Sequence, residues 1–223
     1  MDTINSRIKI GFPAQRDDWT KTVAVYDEHT LQIAGHPVME DWEAGYMKTL
    51  ASIASSRGGN VLEVGFGLGL SAKAIQASRI ERHFIIECHP DVIRKCLEDF
   101  RDAIIGSSGN RLHILSGFWQ DVTPLLADEQ FDGILFDTYP LSEKEIHSNH
   151  FAFFSEAYRL LKRGGIFTYY SDEAKEFSKR HLEKLETAGF QKENIGFRLC
   201  EINPPAECRY WNEKTMIAPV ITK

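Results

Sequence analysis

Residues 60–69 read Asn60-Val61-Leu62-Glu63-Val64-Gly65-Phe66-Gly67-Leu68-Gly69. An apolar run passes straight into three alternate glycines, and a helical pattern follows over Leu70 to Ser78. A short apolar block bounded by glycine reads as a buried strand. The glycines let the backbone turn sharply and approach a ligand closely. A glycine loop that leaves a strand and opens a helix is the βα context in which such loops bind ligands.

Outward from this unit the same alternation repeats. His83 to Cys88 is a second strand, and Pro90 opens a helix expected to run to Ile104. Leu112 to Ser116 is a third strand and Phe131 to Phe136 a fourth. A helix is expected over Asn149 to Lys162, stopped by Gly164-Gly165, then a fifth strand over Ile166 to Tyr170. A charged helix is expected over Glu173 to Ala188, and β-rich stretches follow near Phe197 to Ile202 and Met216 to Thr222. Strands separated by helices predict an α/β fold, Rossmann-like, with a mostly parallel central sheet, an antiparallel C-terminal edge and flanking helices. Residues 1–59 are expected to be a helical or irregular extension packed across the carboxyl ends of the strands. Residues 60–223 form the main domain, and the whole is one structural domain.

Composition narrows the function classes. The 223 residues are 43% apolar and 26% charged, as in globular chains. Lys and Arg number 26 against 32 Asp and Glu, a net charge of −6. That balance opposes a grip on phosphate backbones, so no nucleic-acid partner is expected. No apolar run approaches the roughly 18–20 residues that span a bilayer, so no membrane partner is expected. Residues 1–18 hold six charged residues and no apolar block, unlike a secretory signal. Cys88, Cys96, Cys200 and Cys208 show no metal-ligand spacing and read as reduced thiols in a cytoplasmic protein. No metal is expected. His147 and His150, three apart, read as surface or supporting side chains. Nothing in the sequence specifies an oligomeric state.

Ligands of open α/β sheets bind outside the carboxyl ends of the strands, so the residues there are the candidates. Gly65-Phe66-Gly67-Leu68-Gly69 has G-x-G-x-G spacing, not the G-x-G-x-x-G of dinucleotide sites. This form suits a loop passing beside the methionine portion of S-adenosylmethionine. Glu87 ends the second strand, where a carboxylate can accept both ribose hydroxyls or stand as a surface acid. Trp119-Gln120 follows the third strand and suits an adenine ring, or Trp119 belongs to the core. Asp137-Thr138-Tyr139-Pro140 follows the fourth, where an acid can take or orient the proton that an acceptor nitrogen sheds.

The stretch Gly35 to Met47 (GHPVMEDWEAGYM), with EVGFG, FIIEC, FDGILFDTYPLS, RLLKRGG and PPAECRYW, resembles the guanidinoacetate N-methyltransferase family over nearly all of residues 19–223. The resemblance implies a class I methyltransferase fold over residues 60–223. It also implies S-adenosylmethionine as donor, with S-adenosylhomocysteine as product. The acceptor is then a small guanidino compound: guanidinoacetate on the way to creatine, or arginine, agmatine or guanidinopropionate. It places the catalytic, acceptor-binding carboxylates on Glu43 and Asp137. It places the donor site on Trp19, Met39, Met47, the loop Gly65, Gly67, Leu68 and Gly69, then Leu70, Ser71, Ala72 and Lys73. Glu87, Cys88, His89, Trp119, Gln120 and Asp137 complete that site. Trp19, Tyr139, Asp172 and Glu173 join Glu43 and Asp137 around the acceptor, and residues 1–59 become a lid carrying Trp19 and Tyr26.

One departure stands out. The family is longer between the fifth strand and the next helix, where backbone amides hold the acceptor's carboxylate. Here Ser171-Asp172-Glu173 stands instead. Two acids oppose a substrate carboxylate, so the far end of the acceptor is expected to be neutral or cationic, unless these acids only cap the following helix. The competing readings are a protein arginine N-methyltransferase, an NAD-type oxidoreductase and an inactive binding module.

Overall fold

A computed structural model describes residues 8–105 and 111–223. Its main sheet has seven strands: β4 (Asn60–Val64), β5 (Arg82–Glu87), β6 (Arg111–Ser116), β7 (Phe131–Phe136), β8 (Leu161–Tyr169), β9 (Ile195–Glu201) and β10 (Thr215–Thr222). Their order is β6-β5-β4-β7-β8-β10-β9. The first five are parallel, and β10 runs antiparallel to both β8 and β9. The parallel strands are covered on both faces, which explains their largely apolar character. Val61, Leu62, Val64, Ile134 and Leu135 are fully buried. Strand order reverses between β4 and β7, so the crevice lies where Gly65 and Asp137 emerge.

The helices are α1 (Arg16–Trp19), α2 (Ala44–Ala54), α3 (Leu70–Gln76), α4 (Pro90–Asp99), α5 (Arg101–Ile105), α6 (Trp119–Val122), α7 (Phe154–Leu160) and α8 (Lys179–Thr187). On one face α2 buries Tyr46, Met47, Leu50, Ala51, Ile53 and Ala54, packed with Ile75, Leu135 and Met216. Burial of each large apolar side chain stabilises by about 1.5–3 kcal/mol. The C-terminal turn of α2 lies so close to β7 that a β-carbon on Gly133 would overlap the Ala54 carbonyl. This packing fixes the N-terminus of α2 above the carboxyl ends of the strands. The other face is an aromatic cluster including Phe136, Phe153, Phe154, Phe167 and Tyr169.

Several local expectations change. Within residues 1–59, residues 24–40 form a three-stranded antiparallel sheet, β1 (Ala24–Tyr26), β2 (Thr30–Ile33) and β3 (His36–Glu40), not a helical or irregular stretch. Residues 1–7 lie outside the described residues. Leu31 and Ile33 are buried beside Phe66 and Val92, and Met39 is buried against Gly67, so the sheet is selected by what it covers. The expected helix from Pro90 is broken at Phe100. The helix expected over Asn149 to Lys162 is a 3-10 turn, Asn149–Phe153, followed by α7. Leu161 already opens β8, pairing with Phe131, so Gly164-Gly165 lies inside the strand, not after a helix. The helix expected from Glu173 starts at Lys179, capped by the Ser178 side chain. The Glu173 carbonyl accepts from Ile217 N at 2.9 Å, which draws residue 173 to β10 and out of helical geometry.

Candidate active site

A cavity of about 430 Å³ opens at the carboxyl ends of β4, β5, β7 and β8. Its floor is the turn after β4. The Gly65 backbone lies against Asp137, and a β-carbon there would overlap the Asp137 carbonyl oxygen. Gly67 faces Met39, whose Sδ receives Leu68 N at 3.3 Å. Glu63, the acid before the loop, does not enter the cavity. It is fully buried, accepts the Ser71 hydroxyl and lies 2.9 Å from His83 Nε2.

Glu87 is held by the chain around it. Phe66 N donates to one oxygen at 3.0 Å, and Cys88 N and His89 N to the other at 2.8 Å each. A carboxylate offers about four lone-pair positions, so an oxygen aimed at a diol retains accepting capacity. On the opposite wall Trp19 is buried and stacks on Tyr139, centroids 5.5 Å apart and planes 7° apart. His36 ties Tyr139 to the N-terminal segment: Nδ1 is 3.1 Å from the Tyr139 hydroxyl and Nε2 is 2.7 Å from the Gly11 carbonyl. Trp119 lines the cavity and also packs edge-on against Phe136 and Phe153, so its cavity and core readings both apply.

The other end of the cavity is acidic. Glu43 closes the 3-10 turn Asp41–Glu43 and precedes α2. It is 3% exposed, and its Oε1 accepts the Tyr210 hydroxyl and, at 3.4 Å, Glu40 N. Burial, then the charge of Asp137, pushes its carboxyl up to about 8, against the pull of Tyr210. Asp137 caps β7. Burial, then the charges of Asp172 and Glu63, pushes it up to about 7. Among the described residues neither Glu43 nor Asp137 forms an ion pair. Two unpaired acids held in a buried site are costly to ionise until a cation arrives.

The cavity wall thus gathers Trp19, Met39, Glu43, Gly65, Gly67, Glu87, Cys88, Trp119, Gln120, Asp137, Tyr139 and Asp172 from the sequence-derived set. It does not gather Met47, Leu68, Gly69, Leu70, Ser71, Ala72, Lys73, His89 or Glu173. Met47 is fully buried in the core, Ser71 bonds Glu63, and Lys73 is exposed. His89 caps α4 and reaches the Thr22 carbonyl at 2.7 Å. Tyr26 is not on the wall, and its buried hydroxyl has no hydrogen-bond partner among the described residues. Tyr210, Tyr170 and His150 were missed as cavity residues. Tyr210 lies in the quoted PPAECRYW stretch, but only the folded chain brings it to Glu43. His147 and His150 do not share a helical face: His147 has φ 56° and His150 lies in the 3-10 turn. All four cysteines are free thiols. Among the described residues no set of three or more His, Cys, Asp or Glu side chains could hold a metal ion, and no helix is long and apolar enough to cross a membrane.

A sequence model described as guanidinoacetate N-methyltransferase matches residues 11–223. The chain belongs to the guanidinoacetate N-methyltransferase family. Curated relatives of this family member include protein arginine N-methyltransferase 2 of Yarrowia lipolytica, 35% identical over 60% of this chain and 28% of that protein. The Candida glabrata protein of the same name is 31% identical over 71% of this chain and 38% of its own length. The chain therefore spans about a third of the curated relatives it matches. Spermidine synthase from Thermotoga maritima superposes with a TM-score of 0.61 over 90% of this chain and 72% of that one, at 14% identity. That likeness concerns the fold, which is the Rossmann-like class I methyltransferase fold.

Proposed function

We propose that this chain is an S-adenosylmethionine-dependent N-methyltransferase whose acceptor is the guanidino group of a small molecule. The observation that carries the reading is the pair Glu43 and Asp137: both buried, both pushed up, both on one cavity wall, and without an ion pair among the described residues. Membership of the family supports it. The glycine turn, Met39 and Glu87 fit the donor: Gly65, Gly67, Met39 and Glu87 line one cavity, and Glu87 is held at the end of β5 with accepting capacity. When bound, S-adenosylmethionine supplies an electrophilic methyl group.

A guanidinium is planar and cationic, with a pKa above about 12. Two carboxylates can pair with its forked N–H donors and fix its plane. Deprotonation by an ordinary carboxylate, a gap of roughly 8–9 units, costs about 11–12 kcal/mol. With Asp137 pushed up to about 7, the gap falls to roughly 5 units, or about 7 kcal/mol. Pairing with the guanidinium pulls Asp137 down again, so proton loss to Asp137 accompanies or follows methyl transfer. The products are then the methylated guanidinium, S-adenosylhomocysteine and one proton. Trp19 and Tyr139, stacked on the cavity wall, would serve the lid role by excluding water, which strengthens the ion pairs.

A second reading is a peptidyl arginine acceptor, favoured by the name of the curated relatives. One assay separates the two. The protein is incubated with S-adenosylmethionine and guanidinoacetate, guanidinopropionate, arginine, agmatine or an arginine peptide, and product masses are read. Methylation of a small guanidine supports the main reading. Methylation of the peptide alone supports the second, and methylation of none defeats both.

A further inference from the structure

Besides Glu43 and Asp137, the cavity wall carries Asp172. Asp172 follows β8 with a left-handed backbone, φ 55°. Its Oδ1 lies 2.9 Å from Nδ1 of His147, and its side chain is 13% exposed on the cavity wall. A non-glycine residue in this region is uncommon and is kept only where the surroundings specify it. Glu173 takes a different course. Its Oε1 accepts from Ser178 N at 3.2 Å and lies 3.3 Å from His181 Nδ1, off the wall. The two neighbouring acids therefore have different roles, and only Asp172 faces the ligand space.

Two buried polar side chains on the same wall lack hydrogen-bond partners among the described residues. One is the Tyr170 hydroxyl. The other is His150, 1% exposed, neither of whose ring nitrogens has a hydrogen-bond partner among the described residues. Burial holds its imidazole down at about 3, so the ring is neutral and offers one acceptor nitrogen. Buried polar groups are normally satisfied, so a cluster left open beside an acid marks ligand space. The wall carries Glu43, Glu87, Asp137, Glu145 and Asp172 against a single arginine, Arg16. Arg16 is engaged at the far end, 2.8 Å from Asp121 and over the Phe118 ring.

We infer that Asp172, with Tyr170 and His150, forms a distal subsite for a second positive group, so that the acceptor is a dicationic guanidine. The guanidinium pairs with Glu43 and Asp137, and an ammonium or second guanidinium pairs with Asp172. A distal carboxylate meets Asp172 here and, apart from Arg16 at the far end, no lysine or arginine of the described wall, which is discrimination by repulsion. This inference rests on the guanidino methyltransferase reading of the same cavity.

The test uses three probes of matched four-carbon length: agmatine (dication), butylguanidine (monocation) and guanidinobutyrate (distal carboxylate). Each is titrated calorimetrically into the protein, then offered as acceptor with S-adenosylmethionine. Agmatine is expected to bind about 100-fold more tightly than guanidinobutyrate, with butylguanidine between them. Asp172→Asn, a residue that tolerates left-handed backbone, is expected to cut that preference at least about 10-fold. Tyr170→Phe removes a hydroxyl without a partner, so it keeps the fold and weakens agmatine about 3-fold. Equal affinity for agmatine and guanidinobutyrate overturns the subsite, as does a preference unchanged in both variants. If agmatine binds preferentially yet no probe is methylated, the subsite stands and the methyltransferase reading falls. If all are methylated without charge preference, the reading stands and the subsite falls.

Discussion

Gly65 lies against Asp137 with no room for a β-carbon between them, so the turn after β4 and the acid at the tip of β7 are one rigid unit. Gly65 N also donates to the Ile86 carbonyl at 2.9 Å, and Asp137 N to the Val64 carbonyl at 2.8 Å. In the proposed mechanism this contact sets the distance between donor and acceptor. Gly65→Ala must shift the Asp137 backbone and place a side chain at φ 92°. It is expected to lower stability by more than about 2 kcal/mol, read by denaturant unfolding.

Glu43→Gln and Asp137→Asn keep shape and remove charge. Each is expected to lower kcat/KM for a guanidine on the order of 100-fold or more. Binding of S-adenosylmethionine, followed calorimetrically, should change far less in Glu43→Gln. Near-normal turnover in both variants would remove the carboxylates from the chemistry.

The two acids also set the pH dependence. They must be ionised to hold a guanidinium, and they sit at about 8 and about 7. The kcat/KM of the wild type should therefore climb between about pH 6 and 9. Stability runs the other way. Both folded values are raised above the ordinary 4.5 and 3.8. Their contribution is full below the ordinary values and is lost as pH rises through 7 and 8, because the folded state binds more protons in that window. Glu43→Gln should then be more stable than wild type by about 1–3 kcal/mol near pH 9, with little difference near pH 4. Equal melting temperatures at the higher pH would contradict this.

Tyr210→Phe tests positioning. Its hydroxyl donates to Glu43 and favours the charged carboxylate. Its loss should move the rise in kcat/KM to higher pH and cut activity about 10-fold at neutral pH. Activity should recover in part under alkaline conditions. A flat loss at every pH would indicate only a packing role.

Glu87→Gln replaces an acceptor that three backbone amides address. The amide's NH₂ cannot accept from them, so the turn between β4 and α3 loosens. S-adenosylmethionine affinity should fall at least about 10-fold by calorimetry.

The alternation of buried strands with helices is legible in the chain because a strand covered on both faces is mostly apolar, with its few buried polar groups paired as Glu63 and His83 are. So NVLEV, HFIIE and FDGILF announce a parallel sheet, and the residues after them announce a site. Helix limits were less legible. Glu173 and Ala174 look helical by sequence, yet the Glu173 carbonyl bonds Ile217, a partner 44 residues away. The short strands β1 to β3 carry weak local signals and exist because Leu31 and Ile33 cover Phe66 and Val92 while Met39 packs on Gly67.

The sequence by itself determined the strand order along the chain, the glycine turn and the identity of the acids at strand ends, since these depend on near neighbours. Only tertiary structure decided that Glu43 meets Tyr210 across 167 residues, that Asp172 faces the cavity while Glu173 turns to α8, and that Ser71 faces Glu63. Those outcomes are set by packing α2, β8 and the β9–β10 loop against one sheet. Such contacts join residues far apart in the chain, and no local pattern encodes which of two adjacent acids will point inward.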